Sequence, residues 1–337
     1  MHRALALIAV LTLAACGPAS PGVQPMSPPL DAAILDQEIG EIAARAQPAS
    51  MEIAVQNLDG GEMWAWNGDK AFPMQSVFKA PLAAAVLSEV DHGRLSLDET
   101  ITIGEPDISP AHSPVADAWP RVTTYTVRDL LERTVSDSDN TAADVLMRRI
   151  GGPGAVTAWL RGQGVKDIRI DRYERELQPN LYGMASFRIA WKGWPAFKAA
   201  RNAVAEPVRR AATARYLADP RDTMTASGGL TFLRRLSLGQ LISPPSTALL
   251  LKLMGDTRYG TSRLAAGLPP DARLVHKSGA SATDLGLTPA VNDIGIVTLK
   301  DGRKYAVIVF LSATPRDETA QQDIFADVMR VIVKAAG

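Results

Sequence analysis

Ser76-Val77-Phe78-Lys79 sets a hydroxyl and an amine three residues apart. At the start of a helix that spacing puts both on one face. A serine hydroxyl is a weak nucleophile until a base takes its proton. A lysine amine becomes such a base when burial or neighbouring charge lowers its pKa. Free N–H groups at a helix N-terminus also favour negative charge developing beside them. Alone, Ser-x-x-Lys is a weak signal, since an N-cap serine followed by a surface lysine gives the same letters.

Two more short motifs follow. Ser138-Asp139-Asn140 falls between two helical segments. Its serine can relay a proton to a leaving nitrogen, and Asn140 can hold Lys79 or a substrate amide. The same tripeptide also reads as a helix cap with a turn. Lys277-Ser278-Gly279, preceded by Leu274-Val275-His276, reads as an edge strand facing a cleft. Lys277 and Ser278 suit a substrate carboxylate, and Gly279 leaves room where substrate nears the backbone. The N–H groups of Ala280 and Ser76 would together form an oxyanion hole.

The elements that must carry these residues can be read from periodicity. Residues 32–46 have a helical apolar stripe, and 51–58 and 62–66 are strands joined by Asp59-Gly60-Gly61. Helices are expected over 78–90, 126–134, 140–150, 154–163 and 246–254. Residues 294–299 and 305–312 form a hairpin around Lys300-Asp301-Gly302, and 320–336 is a closing helix. The expected fold is α/β (α+β): one antiparallel sheet built from both termini and flanked by helices, plus an all-helical lobe. Residues 31–75 and 223–337 would make the sheet lobe and 76–222 the helical one. The cleft between them is the default site.

The ordered set of motifs resembles the class A serine β-lactamases, relatives of the penicillin-binding D,D-peptidases. Thr141-Ala142-Ala143 and the stretch Arg263-Leu264-Ala265-Ala266-Gly267-Leu268-Pro269 resemble the family too. Asn292-Asp293-Ile294-Gly295 is similar to a subgroup that includes extended-spectrum enzymes. The resemblance spans roughly residues 31–335 and implies that Ser76 is acylated by a β-lactam, with Lys79 and Ser138 assisting. Arg172-Tyr173-Glu174-Arg175-Glu176-Leu177 resembles the family's omega-loop motif. This implies that Glu174 activates the water that releases the acyl group, while Glu176 faces elsewhere. Whether Lys79 or Glu174 takes the proton from Ser76 is open at this level.

The chain departs from the family in four places. Gln178 stands where an asparagine usually helps hold that water. Arg172 and Asp222 match the ion pair at the base of the omega loop, but Asp222 lies 48 residues beyond Glu174. About 35 residues are therefore inserted within 179–218, far more than ordinary loops need. The insertion holds Tyr182, Phe187, Trp191, Trp194, Phe197 and Tyr216, with seven Lys/Arg against Glu206. Residues 196–206 and 207–218 read as helices. The insertion fits a packed surface hairpin, a lid over the cleft, or a basic aromatic face toward a membrane or cell wall. No arginine lies in 280–299, so the family's extra carboxylate clamp is missing; Ser281, Thr283, Arg263 or Arg258 would stand in. His112 falls where the family often has an aromatic at the cleft mouth.

The remaining sequence bounds partners and location. His2-Arg3 and the apolar run 4–15, ending Leu13-Ala14-Ala15-Cys16-Gly17, read as a signal peptide of residues 1–15. The junction resembles a lipoprotein signal, with lipid on Cys16, the chain's one cysteine. Residues 16–30 would be a flexible tether, and the enzyme a periplasmic monomer anchored to the outer membrane. Lys+Arg and Asp+Glu both total 36, which gives no reason to expect a nucleic-acid partner. Neither metal nor cofactor is expected: the four histidines lack ligand spacing, and no phosphate loop is present. The expected substrates are penicillins and, from Ser281 and the subgroup likeness, cephalosporins. A D,D-peptidase, or a penicillin-binding protein that acylates without turnover, would use the same Ser and Lys motifs.

Overall fold

The structure, a computed structural model, describes residues 29–337. Cys16, the signal segment and most of the tether lie outside these residues. The strands are β1 (Ser50–Asn57), β2 (Met63–Trp66), β3 (Phe72–Pro73), β4 (Thr100–Thr102), β5 (Thr124–Thr126), β6 (Thr223–Met224), β7 (Arg273–Ala280), β8 (Thr288–Thr298) and β9 (Lys304–Thr314). Five of them form one antiparallel sheet in the order β2-β1-β9-β8-β7, so the two ends of the chain share it. The α/β architecture with an additional helical region is the one expected.

Period-two alternation sorts the side chains of this sheet between two cores. Along β9, Val307, Val309 and Leu311 join Leu35, Ile39, Phe325 and Met329 of the two terminal helices. Ala306, Ile308 and Phe310 face the other way, into the core that includes Leu82 and Phe232. Each such fully buried side chain contributes roughly 1.5–3 kcal/mol. The first terminal helix is regular over Ala32–Ile34, widens into a π-helical stretch at Leu35–Ile39 and resumes at Gly40–Ala46. The second is Glu318–Ala336.

β8 begins six residues before the expected strand. Its early residues include Pro289, Asn292 and Asp293, which interrupt an apolar reading. Asn292 and Asp293 are each buried against a polar partner on another element. Asn292 Nδ2 donates to the carbonyls of Pro73 (2.8 Å) and Met74 (2.9 Å), and His276 Nδ1 meets Asp293 Oδ1 at 2.7 Å. The Ala226–Ser237 helix was not legible, because Ser227-Gly228-Gly229 argues against a helix. A Cβ on Gly229 would lie 2.8 Å from Ile308 Cδ1, so the glycine is what lets this helix lie against the sheet.

The inserted segment carries a short turn of helix at Ile189–Trp191 and the helices Trp194–Asn202 and Glu206–Ala218. The first of the two helices starts two residues earlier than expected and ends earlier. Gly193 (φ 79°) turns the chain and Pro195 fits the first helical turn.

Glu52 sits on β1, fully buried, and its Oε1 caps the Ala226–Ser237 helix by accepting from Ala226 N at 2.7 Å. Burial raises its pKa to about 8. The folded protein therefore holds a proton that the unfolded chain releases above its ordinary 4.5, and stability falls as pH rises between those values. Glu52→Gln is expected to flatten this slope by at least ~1 kcal/mol between pH 5 and pH 8, read as the difference in urea unfolding between the two pH values.

Candidate active site

Ser76 lies in the 3-10 turn Gln75–Phe78, which leads directly into the Lys79–Asp91 helix. Lys79 is wholly buried there. Its Nζ donates to Ser76 Oγ (3.0 Å), Ser138 O (2.6 Å) and Asn140 Oδ1 (2.5 Å), and stands 3.5 Å from Ser138 Oγ. Glu174 Oε1 is 3.7 Å away. Burial lowers the Lys79 pKa, against the opposing pull of Glu174, Asp139 and Asp144. A neutral Lys79 amine would accept the Ser76 proton along the same 3.0 Å contact.

The second motif caps a helix and also meets Lys79. Asp139 caps the Asn140–Arg149 helix, accepting from Ala142 N (2.8 Å), and also accepts from Val115 N (2.7 Å) and Ser113 Oγ (2.8 Å). Ser138, at φ 57°, turns the backbone so that its carbonyl and hydroxyl meet Lys79. Asn140 is fixed by donating from Nδ2 to Pro110 O at 2.6 Å.

Lys277 is the second buried amine. It projects from β7 and donates to Ser138 Oγ (3.0 Å) and Ser278 O (2.8 Å). Burial, reinforced by the Lys79 charge, holds its pKa well below 10.5. Ser138 Oγ thus lies between two lysines, as a proton relay requires. Gly279 is the point where β7 passes Ser76: a Cβ would lie 2.8 Å from both Met74 O and Ser76 N.

Glu174 opens an unexpected helix, Glu174–Leu181, hidden in the sequence by Pro179 within it. Glu176 closes its first turn, accepting from Tyr173 N at 3.1 Å, and faces away from the site. Gln178, four residues after Glu174, falls on the same helical face. Its Nε2 donates to Glu174 Oε2 (2.8 Å) and reaches Gln75 Oε1 (3.3 Å). Gln75, at φ 46°, donates in turn to the Tyr216 hydroxyl at 2.5 Å. A chain of side chains therefore joins the insertion to Glu174.

Asp144 was missed in the sequence. Its two oxygens accept from Glu174 N (2.8 Å) and Arg175 N (2.9 Å), and Ser109 Oγ donates to it at 2.6 Å. Burial, and then the Glu174 charge, push its pKa up to about 7. At the loop's base Arg172 Nε donates to Asp222 Oδ2 at 2.6 Å, and Asp222 Oδ1 accepts from the backbone of Asp171 and Arg172.

These groups open on a cavity of about 450 Å³ lined by Ser76, Ser138, Asn140, Gln178 and the run Ser278 to Ala282. His112 lines it too, held by Asp137 O at 2.9 Å and meeting the Tyr259 ring edge-on at 5.1 Å. Of the proposed carboxylate partners, Ser278, Ser281 and Arg263 reach the cavity. Arg263 donates to Gly279 O and Asn292 O. Arg258 instead pairs with Asp137, and Thr283 with Thr288. Lys277 faces Ser138 rather than the open cavity. Tyr182, Trp194 and Tyr259 were not identified as lining residues from sequence. Among the described residues no cluster of His, Cys, Asp or Glu is placed to hold a metal, and no helix is long and apolar enough to cross a membrane.

Comparison with known proteins agrees with this geometry. The "Beta-lactamase enzyme family" matches residues 34–336. Beta-lactamase VEB-1 of Pseudomonas aeruginosa is 30% identical over 86% of this chain and 87% of its own length. Extended-spectrum beta-lactamase PER-1 of the same organism is 29% identical over 88% and 85%. The crystal structure of a β-lactamase from Chitinophaga pinensis DSM 2588 superposes with a TM-score of 0.74 at 35% identity, covering 90% of this chain and 99% of that one.

Arg172→Ala would leave the Asp222 carboxylate buried without its cation. A loss of about 3–5 kcal/mol is expected, read by urea unfolding, with new protease cleavage between 171 and 222.

Proposed function

We propose, for a chain that belongs to the beta-lactamase enzyme family and has the fold of its class A serine members, that it hydrolyses the β-lactam amide of penicillins and cephalosporins through an ester on Ser76. The observation that carries this reading is Lys79 Nζ at 3.0 Å from Ser76 Oγ, with the Glu174 carboxylate beside it and tied to Gln178. Ser76 Oγ attacks the lactam carbonyl and gives its proton to Lys79. The N–H groups of Ser76 and Ala280 receive the oxyanion. As the C–N bond breaks, Ser138 passes a proton to the ring nitrogen and is resupplied from the lysines flanking it. Asn140, Ser278, Ser281, Arg263 and His112 position the substrate, and Lys277 acts behind them through Ser138. Glu174 then takes a proton from water, the water oxygen attacks the ester, and Ser76 leaves with a proton.

Glu174 separates this reading from a D,D-peptidase or a binding protein that stays acylated. A carboxylate beside the ester supplies the base that a trapped enzyme lacks. Gln178 fits the role, since its extra methylene lets one amide reach both Glu174 and Gln75. Likeness to a relative named as extended-spectrum supports the cephalosporin assignment and the Asn292-Asp293-Ile294-Gly295 subgroup. Export to the periplasm after cleavage before Cys16, with lipid on that cysteine, a lobe boundary near 76 and 222 and a monomeric state complete the proposal.

Mass spectrometry of the intact protein during turnover tests it. The parent protein should show a short-lived adduct and many products per enzyme, and Glu174→Gln a lasting adduct on Ser76. One product per parent molecule would sink the hydrolase reading. The lowered lysine pKa values also set a pH dependence. Acylation should rise with pH along a limb belonging to the coupled Lys79 and Lys277 amines, and level off below the ordinary lysine value of 10.5. Lys79→Arg, which cannot give up its charge, should slow acylation at least about a hundredfold at every pH.

A further inference from the structure

We propose that Trp194 is a specificity-determining residue: its indole walls the Ser76 cavity and stacks on a planar aromatic ring in the acylamino side chain of the substrate. This rests on the β-lactam reading of the site. The inserted segment does not sit apart from the cleft. Trp194 and Tyr182 line the same cavity as Ser76, beside Ser281 and Ala282. Trp194 is also 42% exposed, although the neighbouring aromatics Tyr182 and Phe197 are buried. An indole left uncovered in a cavity wall gains by covering that surface with a ligand ring.

The indole is held in place before anything binds. Phe197 stacks with it at 6.4 Å and an interplanar angle of 29°. The Arg201 guanidinium lies 5.8 Å from its ring and 5.2 Å from that of Tyr182. Arg201 itself is buried, 3.7 Å from Asp284 on the β7–β8 connection, and Arg209 pairs with the same carboxylate. The Tyr182 hydroxyl donates to Ala282 O at 3.4 Å. Lys192 Nζ also donates to Trp119 O at 2.6 Å. The insertion is therefore fastened both to the β7–β8 connection and to Trp119, and little ordering remains to oppose binding.

The chemistry of the wall selects the ligand. Arg201 and Arg209 share the one carboxylate of Asp284 behind the indole, and Glu318 lines the same cavity, so charge at this wall selects neither sign of substituent. A neutral aryl or heteroaryl ring meets an aromatic face with favourable stacking. The position fits the acyl side-chain end of a β-lactam, since Ser281 and Ala282 directly follow the Gly279–Ala280 segment beside the nucleophile.

Benzylpenicillin and 6-aminopenicillanic acid share one bicyclic nucleus and differ in the phenylacetyl group. Trp194→Ala should lower kcat/KM for benzylpenicillin about fivefold through KM, leave kcat within about twofold, and leave 6-aminopenicillanic acid within about twofold. Trp194→Phe should recover most of the loss. Equal losses with both compounds, or no loss with either, would overturn the proposal. If the parent protein turns over neither compound, the hydrolase reading fails separately. Trp194 is then judged by the rate of adduct formation on Ser76: a preference for benzylpenicillin that Trp194→Ala removes supports it, and a missing preference or missing adduct overturns it.

Discussion

A lysine amine with no access to solvent must find its partners inside the protein, and Lys79 finds them in three separate parts of the chain. Burying an ammonium alone costs several kcal/mol. Lys79 meets the Ser76 hydroxyl one helical turn back, the carbonyl and hydroxyl of Ser138, the amide oxygen of Asn140 and the Glu174 carboxylate. Each must arrive at hydrogen-bond or ion-pair distance. This explains why Ser138 tolerates φ 57° and why Asp139 is spent entirely on tying that turn to Val115, Ser113 and its own helix. Lys277 repeats the arrangement from the sheet side, with Ser138 as the shared acceptor. The sheet and the helical region are thus joined through one hydroxyl between two amines.

The carboxylate side is built with similar economy. Asp144 fixes the first two N–H groups of the Glu174 helix, and Gln178 fixes one carboxylate oxygen. Gln75 bridges Gln178 to Tyr216 across the strained residue next to the nucleophile. The inserted segment therefore takes part in the site through Tyr216 as well as through its cavity wall. It also keeps a small core of its own around Leu181, Tyr182, Phe197 and Tyr216.

Much of this was legible in the sequence. Ser76 with Lys79 acts through a fixed local spacing and shows itself in a short window, whereas Glu174 and Gln178 were read through the resemblance of the Arg172–Leu177 stretch to a family motif. Lys277 and Gly279 could be read because an edge strand presents alternate residues in a known way. Asp144, Gln75 and Tyr216 could not. Their roles depend on partners 30, 103 and 141 residues distant in sequence, and an isolated Asp, Gln or Tyr carries no spacing signal. The early part of β8 was hidden because its buried polar residues are matched by partners on other elements. The Ala226–Ser237 helix was hidden because its glycines serve packing against the sheet rather than helix propensity.

The fastening of the insertion to Asp284 has a consequence for how such a protein can change. The segment that walls the Ser76 cavity with Trp194 is the same continuous stretch that carries Tyr216 to Gln75 and thence to Glu174. A substitution that widens the cavity by loosening Arg201 or Arg209 also slackens the support of Glu174. Under the proposed function, adaptation to bulkier antibiotics through this segment is tied to slower release of the acyl group, whereas exchange of the exposed indole alone is free of that penalty. The route of least resistance for new selectivity runs through one side chain, and the two helices behind it form the part of the enzyme that varies least freely.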